Sequence, residues 1–314
     1  MTATNKQVAF LDFRLGKPQV FRNLCVIPIF GTELPHQLYT SLTDALAKGD
    51  VEVTEIGEGG SVPELKVINK GELPVIIVDG EELIGAKQNR IVNTSILLAA
   101  HSELMIPVSC TESGRWQYNS RSFSHSDHVM ASKARISKNS RLYNNIAAYK
   151  SYDAGQREVW NDVERLHQKL GTSSPSRAMS DAFEQKKVDI EAYQEAFPCE
   201  EGQKGIITFL NGKLLTGDFL SRHDVYQKVH AKLLRSAAAD AIVETDIAMD
   251  TAALYEEANQ LLENIAQAEP QQKNAAVGLG EDFRYDLGEI GGAALVYQDE
   301  MVHQHLFRKA AAME

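Results

Sequence analysis

The sequence predicts an α+β fold with a mostly antiparallel, β-rich core, formed by the N- and C-terminal segments, and a helical region in the middle. Residues 19 to 118 alternate short apolar runs with turn residues, which is typical of strands. Residues 159 to 197 place apolar side chains at helical spacing, and residues 275 to 308 return to a strand-like pattern. Because strands and helices do not alternate regularly, a doubly wound parallel sheet is disfavoured.

We expect three parts along the chain. Residues 1–118 form a β-rich part that carries two polar clusters, KQNR and CTESGRW. Residues 119–200 form a basic loop followed by a helical region. Residues 201–314 form a mixed α/β part, which we expect to pack with residues 1–118 as one unit.

The N-terminal part contains several strand signals and one helix signal. We expect strands over residues 19–31, 51–56, 64–69 and 74–78, and a helix over residues 38–48. The run from Pro74 to Val78 is apolar throughout, which indicates a strand buried on both faces. Asp79-Gly80, directly after it, is a strong turn signal.

The middle part holds the only basic concentration in the sequence. From Ser109 to Asn145 there are six Lys and Arg against two Asp and Glu. Two interpretations stay open: a mobile linker that leads into a helix, or a flap that closes over an anionic ligand. The basic side chains of this stretch are Arg121, His125, His128, Lys133, Arg135, Lys138 and Arg141.

Helices and a hairpin are predicted beyond this stretch. Apolar spacing predicts a helix with a stripe of Val159, Val163, Leu166 and Leu170, a second helix over residues 177–197, and a later one with Leu254, Ala258, Leu261 and Ile265. Asn211-Gly212 predicts a hairpin turn, and Ser221 predicts the cap of a helix that runs to about Val243. Gly278, Gly280, Gly291 and Gly292 predict turns near the C-terminus.

The composition limits the class of function. The chain has 32 Lys and Arg against 43 Asp and Glu, a net charge of −11, which disfavours general nucleic-acid binding but leaves a small anionic ligand open. We find no run of about 18 apolar residues and no signal-peptide core, so we expect no membrane association. Cys25, Cys110 and Cys199 give neither a disulfide framework nor a CxxC pair, which favours a cytoplasmic location.

The KQNR cluster supplies the first candidate ligand-binding residues. Lys87 and Arg90 offer positive charge, and Gln88 and Asn89 offer amides that can read the polar edge of a base or a ribose. Phosphate binding requires donors of this kind. The alternative is a solvated turn between two strands.

The CTESGRW cluster supplies the second set. Glu112 could transfer a proton or hold a ribose hydroxyl, Arg115 could bind a phosphate, and Trp116 could stack on a base. The alternative is a structural Glu–Arg pair beneath a core tryptophan. A phosphatase-like thiolate at Cys110 is disfavoured, because four residues rather than five separate it from Arg115 and the sequence before it lacks the histidine of that loop.

His303 and His305 raise a third possibility. On a strand their spacing places both imidazoles on one face, where they could bind a metal if Asp299 or Glu300 supplied another ligand. Paired surface histidines on an edge strand are the alternative, and we assign no metal ligand from the sequence.

Several segments resemble a family described as associated with ADP-ribosylglycohydrolases and rhodanese-phosphatase proteins. The resemblance lies in GEELIGAKQNRIVNTSILL, IPVSCTESGRW, GKLLTGDFLSRHD and GLGEDFRYDLGEIGGAALVYQDEMVHQHLF, and it extends from about residue 20 to residue 309. It implies the handling of an ADP-ribose-like nucleotide. It transfers no catalytic residue to this chain and names no cofactor.

The hypothesis we favour is a protein that binds an ADP-ribose- or NAD-derived nucleotide, with processing of that nucleotide left open. Lys87, Arg90 and Arg115 would hold the phosphates, Trp116 would stack, and Glu112 is the candidate for proton transfer. The alternatives are a non-catalytic sensor or protein-interaction domain, which would use amphipathic helices near Val159 and Leu254, and a metal-dependent hydrolase. A homo-oligomer stays open.

Overall fold

The computed structural model of the chain describes residues 13–32, 38–57 and 59–312. The strands in these ranges are β1 (Arg14–Leu15), β2 (Gln19–Phe21), β3 (Leu24–Phe30), β4 (Thr40–Ser41), β5 (Val51–Thr54), β6 (Glu64–Asn69), β7 (Val75–Ile77), β8 (Glu81–Gly85), β9 (Arg90–Val92), β10 (Ile96–Leu98), β11 (Ser102–Cys110), β12 (Phe123–Val129), β13 (Gln203–Leu210), β14 (Lys213–Leu220), β15 (Gln272–Ala275), β16 (Glu281–Leu287), β17 (Ile290–Tyr297) and β18 (Glu300–Arg308). The helices are α1 (Leu42–Lys48), α2 (Ser132–Tyr149), α3 (Gln156–Leu170), α4 (Met179–Gln185), α5 (Lys187–Ala196), α6 (His223–Ala241) and α7 (Thr251–Gln267).

The largest sheet joins the N-terminal strands to the C-terminal ones. Its strands follow the order β1-β3-β13-β14-β18-β17-β16-β15, with β2 also paired to β3, and all of these pairs are antiparallel. β3 and β13 connect the two ends of the chain, with Val26 opposite Thr208. This topology confirms the predicted α+β fold with an antiparallel core from the N- and C-terminal segments.

Two smaller sheets are formed by residues 40 to 129. Their orders are β12-β8-β9-β11-β6-β5 and β10-β7-β4, and the pair of β4 with β7 is parallel. β11 is the longest strand of these sheets: it pairs with β6 over residues 102–107 and with β9 over residues 108–110. The change of partner brings the end of β11 beside the start of β9.

Helices cover both faces of the large sheet. The apolar side of α7 packs on one face, in a core with residues of β3, β13 and β16. Helices α2 to α6 pack in the core on the other side, and α1 packs with the smaller sheets. The predicted stripes of α3 (Val159, Val163, Leu166, Leu170) and α7 (Leu254, Ala258, Leu261, Ile265) are buried in these cores. The two apolar faces that motivated a partner-binding interpretation are thus occupied within the fold.

Two element boundaries in the first half of the chain differ from the prediction for local reasons. The strand expected over residues 19–31 is divided into β2 and β3, because Arg22 adopts a left-handed φ of 51° and the chain reverses there. The early helix begins at Leu42, because the Ser41 hydroxyl accepts a hydrogen bond from the Asp44 amide at 3.0 Å and caps the helix.

Further differences lie in the second half. The helix expected over residues 177–197 is interrupted at Lys186 and forms α4 and α5. Ser221 does not cap α6: its hydroxyl lies 2.7 Å from the Tyr39 hydroxyl, and Arg222 occupies the cap position. The turn predicted at Gly291 and Gly292 was wrong, since both lie within β17; they are glycines because a Cβ would come within 2.5 Å of the Phe307 ring at Gly291 and within 2.9 Å of the Leu306 side chain at Gly292.

The turn at Asn211-Gly212 is confirmed. It joins β13 to β14, and both residues have positive φ, 49° and 77°, as a two-residue hairpin turn requires. No helix in the described ranges is both long and apolar enough to cross a membrane.

The basic stretch after residue 119 is neither a linker nor a flap. It forms β12, which pairs with β8, and α2, which lies in the core. Arg135 and Lys138 are fully buried, at 1% and 0% exposure. The helix expected at the end of a linker is present as α2, but the mobile linker and the flap were wrong for the residues from Phe123 onward. Arg135 and Lys138 face the buried carboxylates of Asp79 and Asp218 instead of a ligand.

Candidate functional site

The two predicted polar clusters form adjoining loops. Residues 86–89 connect β8 to β9, and residues 111–118 follow β11. Because β9 pairs with the end of β11, where Cys110 lies opposite Arg90, the first loop lies directly beside the second. The structure brings together the two clusters that we had assigned to one site from the sequence.

Arg115 fastens the two loops to each other. Its guanidinium donates two hydrogen bonds to the Glu112 carboxylate, from Nε at 2.9 Å and from Nη2 at 2.7 Å. Nη1 donates to the carbonyls of Ala86 at 2.7 Å and Gln117 at 2.9 Å, and Nη2 also lies 3.2 Å from Asn89 Oδ1. All three nitrogens therefore have partners within the protein, which is the geometry of a structural anchor.

Glu112 is held as a carboxylate beside this anchor. Burial alone would raise its pKa, but hydrogen bonds from Arg115, from Ser176 and from the Asn89 amide lower the pKa of Glu112 below its ordinary value. A lowered pKa favours the ionised form and weakens the group as a proton acceptor. In this arrangement Glu112 orders the loops more strongly than it supports proton transfer.

Arg90 is the cation of the site whose guanidinium is only partly hydrogen-bonded. Its side chain is fully buried, and Nη1 donates to the Gln88 carbonyl at 3.1 Å. Neither Nε nor Nη2 has a hydrogen-bond partner among the described residues, and the nearest carboxylate oxygen, Glu55 Oε1, lies 3.6 Å from Nη2. Burial lowers the pKa of Arg90. A buried donor without a hydrogen bond costs about 1–3 kcal/mol, and more when it is charged, so Nε and Nη2 would gain from an acceptor in addition to the ion pair with Glu55.

Two half-exposed aromatic side chains lie over these cations. Trp116 and Tyr118 are each 48% exposed. The Lys87 ammonium lies 5.3 Å from the Trp116 ring and 5.0 Å from the Tyr118 ring, and the Arg90 guanidinium lies 5.7 Å from the Trp116 ring. Trp116 is thus not the core tryptophan of our alternative interpretation. We call Glu55, Lys87, Arg90, Trp116 and Tyr118 the Arg90 cluster.

The sequence did not single out every member of this site. Glu55 lies in a predicted strand at period-two spacing with Val51 and Val53, on the face that those valines share, and it is buried at 7% exposure; we assigned it no role from the sequence. Tyr118 is the last residue of the predicted β-rich part, and we assigned it no role from the sequence. Ser180, from α4, accepts a hydrogen bond from Asn89 Nδ2 at 3.2 Å, and no local pattern connects these two residues.

Cys110 is buried beside Arg90 and is not suited to act as a nucleophile. Burial raises the pKa of its thiol to about 11, so the thiolate is a minor species near neutral pH. The Arg90 charge acts in the opposite direction but does not offset the burial.

A second group of polar residues, which we call the central ion network, lies in the interior. It consists of three carboxylates and three cations, Asp79, Asp218, Asp282, Arg135, Lys138 and Arg284, each less than a tenth exposed. Arg135 bridges Asp79 at 2.9 Å and Asp218 at 2.8 Å, and Arg284 makes two bonds of 2.6 Å to Asp282. Burial lowers the pKa of Lys138 to about 8, although the neighbouring Asp79 acts to raise it. The network joins β14 and β16 of the large sheet to α2.

His303 and His305 belong to this interior region. β18 is flanked by β14 and β17, and the two side chains are 2% and 0% exposed, so the expectation of surface histidines on an edge strand was wrong. His303 Nδ1 lies 2.8 Å from the Ser95 hydroxyl, and His305 Nδ1 lies 3.2 Å from Asp218 Oδ1. No three His, Cys, Asp or Glu side chains in the described ranges are arranged to share a metal ion.

Comparison with protein families gives a match over residues 12–307, to the ARG and Rhodanese-Phosphatase-superfamily-associated Protein (ARPP-1) domain. The chain belongs to this family. The match contains both loops, the central ion network and all of the helices described above. Neither the curated proteins nor the solved structures gave a match. The family name records an association with ADP-ribosylglycohydrolases and rhodanese-phosphatase proteins.

Proposed function

We propose that this ARPP-1 domain binds an ADP-ribose- or NAD-derived nucleotide at the Arg90 cluster. The observation that carries the proposal is the buried guanidinium of Arg90, which lies beneath a half-exposed tryptophan. Two of its nitrogens, Nε and Nη2, make no hydrogen bond among the described residues, although Nη2 forms a 3.6 Å ion pair with Glu55. A phosphate group would satisfy both donors in the paired geometry that guanidinium groups favour. The family association with ADP-ribosylglycohydrolases supports the same class of ligand.

Each predicted residue receives a role in this proposal. Arg90 and Lys87 hold the phosphates, and Trp116, with Tyr118 beside it, offers an aromatic face on which a base can stack. Gln88 and Asn89 order the loop and present amides to the polar edges of the ligand. Arg115 and Glu112 act by fixing the loops, since their charged atoms bind each other.

The chemistry at this site favours binding over turnover. The nearest carboxylates, Glu55 and Glu112, are each in contact with an arginine, and the lowered pKa of Glu112 makes it a weak base. Processing of the nucleotide would need a stronger proton acceptor than these residues supply.

The test is a titration of the purified protein with ADP-ribose, followed by calorimetry. We expect Lys87→Gln and Trp116→Ala each to weaken binding about tenfold or more, since a hydrogen bond to a charged group contributes about 1.5–3 kcal/mol and base stacking a similar amount. Arg90→Lys retains the charge but removes the donor fork and should also weaken binding. Lys66→Gln, which removes an exposed ion pair with Glu103, is the matched control.

Circular dichroism and thermal unfolding would show that each variant is folded. ADP-ribose affinity equal to that of the unmodified protein in folded Lys87→Gln and Trp116→Ala would refute the assignment of the Arg90 cluster.

A further inference from the structure

A cleft lies beside the 111–118 loop, and Ser113 of that loop lines it. Its other lining residues belong to α3 and to the loop that follows, and the space between its walls is about 1070 Å³ when the open solvent at its mouth is included. Arg157, Trp160, Asn161 and Glu164 form one wall, at the i, i+3, i+4, i+7 spacing of a single helix face. We call this cleft the α3 groove. No residue of the Arg90 cluster lines it.

Two arginines in the α3 groove have unpaired side chains. Arg157 and Arg177 are exposed, and neither guanidinium has a hydrogen bond or an ion pair with another residue that the structure describes. Glu164 is the one carboxylate among the lining residues. In a chain of net charge −11, a groove with this excess of positive charge favours an anionic ligand.

The wall that carries Arg177 is held rigidly. Arg177 has a φ of 56°, in the left-handed region that side chains other than glycine rarely adopt. Next to it, Ala178 is fixed by the Ser174 hydroxyl at 2.9 Å and by His167 Nε2 at 3.0 Å, and Ser176 accepts a hydrogen bond from the Gly114 amide at 2.8 Å. A strained residue kept in place by its neighbours is a common feature of ligand-binding sites, and here the strain positions one of the two free cations.

The opposite wall offers an aromatic surface. Trp160 is 36% exposed, and it lies one helical turn from Arg157 on the same face of α3. Asn161 and the serines of the facing loop add neutral hydrogen-bonding groups. A planar ring stacked on the Trp160 indole would bring an attached phosphate into the same cleft as the Arg157 and Arg177 guanidinium groups.

We infer that the α3 groove is a second binding site, which takes a small phosphorylated nucleoside. Arg157 and Arg177 bind the phosphates, and Trp160 stacks on the base. This goes beyond the proposed function, since the two sites share no residue. It also assigns a role to the conformation of the 172–178 loop and to the exposed face of α3.

Each site contains one of the two tryptophans of the chain, so tryptophan fluorescence can report ligand binding at each site separately. In the Trp116→Phe background, Trp160 is the sole indole, and we expect ADP to change its fluorescence in a saturable manner. The combined Arg157→Gln and Arg177→Asn variant should raise the dissociation constant for ADP at least tenfold. Arg165→Gln is the matched control, because Arg165 lies on the same helix but does not line the groove. Its dissociation constant should stay within twofold.

Ligands that contain only the phosphates or only the nucleoside test the separate roles of the two arginines and of Trp160. Pyrophosphate and adenosine should each bind more weakly than ADP. Pyrophosphate that binds as tightly as ADP would overturn the nucleotide assignment, and so would ADP affinity unaffected by the double arginine variant. Binding that survives this variant but is lost in Trp116→Ala would support the Arg90 cluster alone and refute the second site. The reverse pattern would refute the Arg90 cluster and retain the groove.

Discussion

The central ion network and the Arg90 cluster both bury charge, yet they differ in how the charges are satisfied. In the network, the Arg135 and Arg284 guanidinium groups are bonded to aspartates, and three cations balance three carboxylates. In the Arg90 cluster, a fully buried guanidinium keeps two donor nitrogens without hydrogen bonds. The comparison teaches that a buried charge can be compensated wholly within the protein, whereas the proposed ligand site depends on a buried guanidinium that is only partly hydrogen-bonded.

The largest expected effect comes from breaking the network. Arg135→Met would leave Asp79 and Asp218 without their shared cation, and an uncompensated buried charge costs about 3–5 kcal/mol of unfolding free energy. Urea unfolding followed by circular dichroism measures this loss. Arg165→Met, which removes an exposed partner of Asp162, is the control and should cost less than about 1 kcal/mol. Similar costs for the two variants would show that the network is not a structural unit.

Asp240 is intermediate between the central ion network and the Arg90 cluster in how its charge is compensated. Its carboxyl is buried, and Lys133 supplies a hydrogen bond and the positive charge that acts on it most strongly. Burial raises the pKa of Asp240 from 3.8 to about 6, and the Lys133 amide and ammonium only partly oppose this. A carboxyl whose pKa is higher in the folded state favours folding when protonated. Its contribution to stability is therefore lost as the pH rises from about 4 to about 6.

Asp240→Asn should remove this pH dependence. Relative to the unmodified protein, the variant should gain on the order of 2 kcal/mol of stability between pH 4 and pH 7, because the unfolded carboxyl is already largely ionised at pH 4. Urea unfolding of both proteins at the two pH values gives the difference, so that the titration of other groups cancels. A difference that stays constant with pH, or that moves against the variant, would contradict the raised pKa.

The smallest effect is expected at the anchor between the two loops. Arg115→Met removes the paired bonds to Glu112 and the bonds to two carbonyls, which should cost about 1.5–3 kcal/mol of stability. Because Arg115 orders the loops rather than presenting free donors, ADP-ribose affinity should fall less than in Lys87→Gln. Arg121→Met, at an exposed position just beyond the loop, is the control. If Arg115→Met lost more binding free energy for ADP-ribose than unfolding free energy, Arg115 would have to be counted among the phosphate-binding residues.

Local signals were enough for much of the fold. The hairpin at Asn211-Gly212 follows from residues that accept positive φ, and the stripes of α3 and α7 follow from apolar spacing. The same reasoning found both polar clusters of the candidate site. It did not find Glu55, because the period-two spacing places this glutamate on the face of the buried Val51 and Val53 but does not show that Arg90 lies beside it. The basic stretch misled us for the same reason, since its charges are neutralised by Asp79 and Asp218 from distant parts of the chain.

The sequence by itself determined the elements, the α+β class and the polar loops, because turns, caps and periodicity act over a few residues. Only the tertiary structure decided which charges are satisfied. Arg115 and Arg90 lie in neighbouring polar clusters of similar composition. All three nitrogens of the Arg115 guanidinium donate hydrogen bonds, whereas Nε and Nη2 of Arg90 donate none. Some partners of the two side chains are local, such as Glu112 for Arg115 and Gln88 for Arg90. The others, Ala86 and Asn89 for Arg115 and Glu55 for Arg90, are brought beside each guanidinium from elsewhere in the chain by the fold.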